Sequence, residues 1–325
     1  MGEQPRPRAV VGAGLMGHGI AQVLARLPGA VRLYDVSGDT LDSAMARIGD
    51  SLAMLVRRGL VTEADSRDAL ARIAPTTDLA AAVASASFVI EAAPEDLELK
   101  RRLFAEVERL APADAVLATN TSSLSIAQVS ALVEGRQRVV GSHFFLPAQI
   151  VPLVEVARGE ATSDETMSRT VDLWRACGKA PIRVEVDIPG YVANRLQGAL
   201  VREAISLWGR DIASAADIDA AVRVGFGLRF LQTGPLAQRD IGGLDLHLAV
   251  SQGIWPDLDQ RTETHPRVRS KVERGELGLK SGRGFHDWAG RDPDEVRRAL
   301  DEALVSMMAA LGIWPTGSRA EGDDG

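Results

Sequence analysis

Through more than half of the chain, short apolar runs alternate with longer segments in which apolar residues return every three or four positions. Runs at 9–11, 31–34, 88–92, 115–118 and 139–144 are bounded by turn residues and read as β-strands. The stretches 15–26 and 97–110 between them have helical periodicity, and two further β candidates, 153–156 and 182–186, bracket a helix at 166–177. Such alternation predicts an α/β domain, a parallel sheet covered by helices on both faces. After Ile188-Pro189-Gly190 the texture changes. Segments 192–208, 215–224, 235–252 and 265–274 all read as helices, and Asp292-Pro293 opens a last amphipathic helix over 292–311. The pattern therefore predicts a first domain over 1–187 and a smaller all-helical domain over 188–315. The small, polar, acidic stretch 316–325 reads as a disordered tail.

Composition narrows the partners. Of the 325 residues 46% are hydrophobic and 25% charged, the net charge is -7, and acids and bases are interspersed without a basic stripe. A nucleic-acid partner is not expected. No apolar run is long enough to cross a bilayer, and the polar start of the chain lacks the apolar middle of a secretory signal, so a cytoplasmic protein is expected. Cys177 is the only cysteine, which excludes an internal disulfide and reads as a structural thiol at a helix end. His247, His265 and His286 lie too far apart in sequence to suggest a metal site.

The strongest local signal is Val10-Val11-Gly12-Ala13-Gly14-Leu15-Met16-Gly17, a strand running into Gly-x-Gly-x-x-Gly and then a helix. Gly12 suits the tight turn, Gly14 the close approach of a pyrophosphate, and Gly17 the packing of helix on strand. Amides at the helix start face negative charge, with Leu15 and Met16 in the same turn. Asp35 ends the next strand, eighteen residues after Gly17, near the spacing at which a carboxylate holds the adenosine ribose. A carboxylate there repels a 2′-phosphate, so NAD is expected rather than NADP. His18 reads as a partly exposed helix residue.

Further motifs follow in order: Val89-Ile90-Glu91-Ala92-Ala93-Pro94-Glu95 with Lys100, Asn120-Thr121-Ser122-Ser123, His143-Phe144-Phe145, and Pro152-Leu153-Val154-Glu155-Val156. Pro189-Gly190-Tyr191-Val192-Ala193-Asn194-Arg195 and Leu279-Lys280-Ser281-Gly282-Arg283-Gly284-Phe285 complete the set. Together they resemble the 3-hydroxyacyl-CoA dehydrogenase family across nearly all of residues 8–290. The resemblance implies a Rossmann-type doubly wound sheet followed by a helical domain that also forms a homodimer. It implies His143 as general base on a 3-hydroxyl, worth about 10²–10⁴-fold in rate, with Glu155 on its other ring nitrogen. Ser122 and Asn194 match ligands of the substrate oxygen. Glu95, Lys100 and Lys280 match positions lining the nicotinamide half of the cofactor site, and Ser51 and Arg58 match contacts to a CoA moiety. Read without the resemblance, His143 is a strand-end histidine, Glu155 a turn acid, and Ser122 and Asn194 helix caps, Ser122 for a helix starting near Leu124.

Two departures keep the substrate open. Leu146 stands where the family's His-Phe-Phe-Asn-Pro has an amide, so a hydrogen bond near the nicotinamide ribose is expected to be missing. The segment Gly225-Phe226-Gly227-Leu228-Arg229-Phe230-Leu231-Gln232-Thr233-Gly234-Pro235-Leu236 looks more like relatives acting on small polar acids, among them gulonate and carnitine dehydrogenases and a pyridoxal-breakdown dehydrogenase. Arg229 there fits a carboxylate clamp and equally a surface cation at a helix end. The leading expectation is an NAD-dependent (S)-3-hydroxyacyl-CoA dehydrogenase. The alternatives are a dehydrogenase of a small hydroxy acid without CoA and a catalytically silent NAD-binding protein.

Overall fold

The computed structural model describes residues 5–313; the tail at 316–325 lies outside them. The described residues divide into two compact units, one of residues 5–192 with 301–313 and the other of residues 193–300.

The first unit is built on eight strands: β1 (Arg8–Val11), β2 (Val31–Tyr34), β3 (Ile73–Thr76), β4 (Phe88–Glu91), β5 (Val116–Thr119), β6 (Val139–Phe144), β7 (Leu153–Ala157) and β8 (Ala180–Val184). Its helices are α1 (Gly17–Leu24), α2 (Gly38–Arg57), α3 (Glu63–Arg72), α4 (Leu79–Val83), α5 (Leu97–Leu110), α6 (Ile126–Val129) and α7 (Asp164–Ala176). Ser37, Thr62, Asp78, Asp96 and Ser163 cap five of them by accepting an amide N–H of the first turn. The strand order is β3-β2-β1-β4-β5-β6-β7-β8, a doubly wound sheet. Alternate strand residues go to opposite faces. Val10, Ile90, Ala118 and Val140 enter one buried cluster, while Ala9, Val11, Val89, Leu117 and Val139 enter another. Both faces are therefore dry at these central strands, as a parallel sheet requires, while the edge strands β3 and β8 are partly exposed.

The all-parallel expectation needs one correction. β6 and β7 pair antiparallel, and β8 runs parallel to β7, so the last two strands are reversed. Only residues 145–152 join β6 to β7, too few for the dozen or more that a parallel crossover takes. Strand β3 gave no β signal in the sequence because it contains Pro75. Proline is tolerated there because β3 is an edge strand.

The second unit contains α8 (Ala193–Gly209), α9 (Ala215–Ala220), α10 (Gly227–Gly242), α11 (Leu244–Ile254), α12 (Pro266–Glu273) and the start of α13 (Pro293–Ala310). The single helix expected over 235–252 is two, divided at Gly243 with φ 90. Of its described residues only Ser206 and Ser251 are buried. The later part of α13 belongs with the first unit: Val305 and Met308 pack with Leu55 and Ile150, so the helical segment is not one continuous domain to residue 315. No helix among the described residues is long and apolar enough to cross a membrane.

Candidate active site

The glycine turn sits between β1 and α1 at the carboxyl edge of the sheet. Gly12 has φ 105, and a Cβ on it would lie 2.7 Å from the Ala92 carbonyl oxygen. A Cβ on Gly17 would lie 1.7 Å from the Gly12 oxygen, whereas one on Gly14 would meet nothing within 4 Å. Two glycines thus pack backbone on backbone, and the third leaves an open approach of the kind a pyrophosphate needs. Asp35 turns back onto this loop, accepting the Ala13 N–H on Oδ2 at 2.9 Å and the Ser37 N–H on Oδ1 at 3.1 Å. The carboxylate is thereby fixed beside the turn, and the donor set fits NAD.

His18 corrects the expectation of a partly exposed residue. It is buried, with Nδ1 3.0 Å from the Gly14 carbonyl oxygen. A carbonyl only accepts, so that nitrogen carries the proton. Burial pushes the ring's pKa down, and the neutral ring braces the loop.

At the ends of β4 and β5 lies a buried charge network. Lys100 Nζ is 2.5 Å from Glu91 Oε1 and 3.4 Å from Glu95 Oε2, and its side chain is fully enclosed. Thr119 donates to the other Glu91 oxygen at 2.7 Å. Burial pushes the Glu91 carboxyl up, against the pull of Lys100. Burial acts the same way on Glu95, but hydrogen bonds from Thr121 and Ser123, then the Lys100 ammonium, outweigh it and hold the carboxyl low. Lys100 therefore holds two acids in place. Glu91 lies within the Val89–Glu95 motif, and its position at the end of a strand, nine residues before a lysine, is the signal of this role that the sequence carries.

His143 and Glu155 are directly opposite one another in the β6–β7 ladder. Opposed residues in an antiparallel pair share a face, and here His143 Nδ1 lies 2.7 Å from Glu155 Oε2. Glu155 is completely buried and His143 nearly so. The ring packs edge-on against Phe145 at 4.6 Å between centroids. The other ring nitrogen, Nε2, is left for a reacting group. Asn120 Oδ1 accepts the Phe144 N–H at 2.8 Å, which ties the loop after β5 to the histidine strand. Ser122 is half-buried in that loop, and the next helix begins only at Ile126, capped elsewhere, so capping does not account for it.

The loop between the two strands is held from below. Lys179 Nζ donates to the carbonyls of Ala148 (2.6 Å) and Val151 (2.7 Å), and burial, then the Arg26 guanidinium, pushes its ammonium down to about 6. Leu146 on this loop is 53% exposed, so replacing the family's amide leaves no buried polar group of its own unpaired. Cys177 is buried, which pushes its thiol up to about 11, the behaviour of a structural cysteine.

The remaining expected residues are spread over α2 and the second unit. Ser51 is buried on α2 with a hydroxyl that has no hydrogen-bond partner. Arg58 ends α2 and pairs with Glu302 at 2.7 Å and Ser306 at 3.2 Å. Such an exposed pair is worth about 0–1 kcal/mol, so an incoming phosphate can displace it. Asn194 lies half-buried in the first turn of α8, Arg229 exposed near the start of α10, and Lys280 exposed in the short helix Leu279–Ser281. Among the described residues no group of three His, Cys, Asp or Glu side chains is placed to hold a metal ion.

A sheet that cradles a dinucleotide at one strand end and buries a histidine–carboxylate pair further along the same edge belongs to an NAD-dependent oxidoreductase. Comparison with known proteins makes the class specific. The chain belongs to the 3-hydroxyacyl-CoA dehydrogenase family: residues 8–188 match its NAD binding domain and residues 190–288 its C-terminal domain. It is 38% identical to a 3-hydroxyadipyl-CoA dehydrogenase of Escherichia coli over 93% of this chain, though it spans only 61% of that protein's length. It is 33% identical to a 5-formyl-3-hydroxy-2-methylpyridine 4-carboxylate 5-dehydrogenase of Mesorhizobium japonicum, over 94% of this chain and 97% of the relative. A crystal structure of an enzyme of that second activity superposes with a TM-score of 0.87 at 31% identity, covering 94% of this chain and 98% of the other. An (S)-3-hydroxybutyryl-CoA dehydrogenase from Ralstonia eutropha gives 0.73 at 35% identity, covering 87% and 99%.

Proposed function

We propose that the chain interconverts (S)-3-hydroxyacyl-CoA and 3-oxoacyl-CoA with NAD, using His143 and Glu155 as its acid–base pair. The carrying observation is the buried 2.7 Å contact between His143 Nδ1 and Glu155 Oε2. In the oxidative direction His143 Nε2 takes the proton of the 3-hydroxyl as the C3–H electron pair departs as hydride and the carbonyl forms. Glu155 accepts the Nδ1–H, fixes the tautomer and stabilises the imidazolium. Ser122 and Asn194 hold the substrate oxygen by hydrogen bonds. Gly12, Gly14, Leu15, Met16, Gly17 and Asp35 hold the adenine half of NAD, with Glu95, Lys100 and Lys280 serving the nicotinamide half. When bound, the nicotinamide supplies the hydride chemistry. Ser51 and Arg58 receive the CoA moiety.

A second reading keeps the same machinery and replaces the thioester with a small carboxylate substrate clamped by Arg229. Its support is the 0.87 TM-score to a pyridine-carboxylate dehydrogenase and the exposed guanidinium. Acetoacetyl-CoA and free acetoacetate, each with NADH and followed by nicotinamide absorbance, separate the two. Turnover of the thioester with little of the free acid is expected. Turnover of free acids alone would transfer the function to the second reading.

We further infer a homodimer formed through the helical segment. Leu196, Leu200, Leu228, Leu231, Leu244 and Leu248 are all exposed in the second unit, more apolar surface than a monomer ordinarily leaves to water. Light scattering in solution is expected to give twice the mass of one chain; a single-chain mass at micromolar concentration contradicts it. A cytoplasmic location goes with this reading, where a lone buried thiol stays reduced.

A further inference from the structure

The chain leaves the sheet through residues 187–192, and this segment touches the candidate site at three points. Asp187 Oδ2 accepts from the Ser125 hydroxyl at 2.9 Å and the Ile126 N–H at 2.7 Å. The Gly190 N–H donates to the Ser122 carbonyl at 3.2 Å. The Val192 N–H donates at 2.9 Å to Glu155 Oε1, the oxygen that does not face His143.

Between the last two contacts stands Tyr191, with φ 44. Non-glycine residues rarely occupy this left-handed region, and they stay there only when their surroundings hold them. Here the surroundings are apolar. Tyr191 is 2% exposed, belongs to the buried cluster on the His143 side of the sheet, and has its ring centroid 5.6 Å from the imidazole. The phenol reaches back over Gly141, where a Cβ would come within 3.1 Å of its oxygen. That hydroxyl is buried without a hydrogen-bond partner, so the shape of the ring, rather than a polar contact, seats the side chain. Asp187, Glu155 and Glu95 are the charged groups acting on the phenol.

We propose that Tyr191 is a positioning residue for the His143–Glu155 pair: its ring backs the imidazole, and its left-handed backbone delivers the Val192 N–H to the carboxylate oxygen that His143 leaves free. Gripped on both oxygens, the carboxylate cannot rotate, and the histidine keeps a single ring orientation. The inference rests on the catalytic reading of that pair.

The test compares Tyr191→Phe, Tyr191→Leu and Tyr191→Asn in the full chain, by turnover of NADH with acetoacetyl-CoA and by NMR of ring-labelled histidine. The chain has five histidines, and the spectrum of His143→Gln identifies the signal of His143. Phe keeps the ring and is expected to match the parent in turnover and titration. Leu and Asn remove it; kcat is expected to fall about tenfold or more, within the roughly 10²-fold that a 1 Å misplacement costs, with NAD binding unchanged. In Leu, which does not favour the left-handed backbone, the His143 signal is also expected to titrate at higher pH, because a carboxylate released by Val192 concentrates its charge toward the imidazole. A merely structural tyrosine lowers the melting temperature and leaves that titration in place. Unchanged kcat in Leu and Asn, with an unchanged titration in Leu, overturns the proposal. If Leu fails to fold, Asn decides through kcat, since it accepts the left-handed backbone and removes only the ring. An inactive His143→Gln beside an unaffected Tyr191→Leu overturns this inference alone. An active His143→Gln removes the catalytic reading and this inference with it.

Discussion

Replacing His143 with Gln is expected to lower kcat about 10²- to 10⁴-fold, the usual worth of a positioned proton carrier. Glutamine is chosen because its amide can still donate to Glu155 Oε2, now satisfied at 2.7 Å by the imidazole. His143→Ala takes the imidazole away from Oε2 of a fully buried carboxylate, a loss of about 1–3 kcal/mol that confuses folding with chemistry. Because the site of substitution is several strands from the glycine turn, NAD affinity is expected to stay within about twofold, less than ~0.5 kcal/mol. Fluorescence titration with NADH and a steady-state assay provide the two readouts. Undiminished turnover in the glutamine variant would remove His143 from the chemistry.

Gly17→Ala is expected to abolish NAD binding and to lower the melting temperature as well. The added methyl lies 1.7 Å from the Gly12 carbonyl oxygen, and both partners are backbone, so no side chain can swing aside. Overpacking of this kind costs roughly 1–3 kcal/mol or more, which corresponds to about 2–4 °C per kcal/mol in a domain of this size. Gly14→Ala is the informative companion. Its methyl meets nothing within 4 Å, so the free protein should melt normally while NAD binding weakens, because the methyl fills the approach of the pyrophosphate. Calorimetry of the free variants and titration with NAD separate the effects. Full NAD affinity in Gly14→Ala would mean that the phosphates lie elsewhere.

Much of this architecture was legible in the sequence, and the exceptions have physical causes. Periodicity located seven of the eight strands, because buried strands are continuous apolar runs. It passed over β3, where Pro75 occupies an edge position that needs no ladder donor. The chemical residues carried little signal of their own. Twelve positions separate His143 from Glu155, and nothing in their spacing reveals that a reversed strand makes them neighbours. The family's motif named them; the ladder explains them. His18 read as partly exposed because one polar ring in a helical pattern does not disclose that the helix is buried from its first turn. The pairing of Arg58 with Glu302 left no trace in the sequence because the two stand 244 residues apart. Tyr191 carries no signal beyond its place in the Pro189–Arg195 motif, because a strained backbone leaves no mark on composition.

The reversal at β6 and β7 also bears on how such an enzyme can change. The distance between imidazole and carboxylate is set by pairing register and not by the connection at 145–152. That connection can exchange exposed residues, as at Leu146, provided the ladder keeps its alignment, whereas Ala148 and Ile150 are buried and Lys179 holds its carbonyls. A slip of one position would turn both side chains to the opposite face. Folding fidelity and catalytic competence are thus a single constraint on these strands, while an exposed position of the loop that joins them, such as Leu146, remains open to remodelling for new substrates.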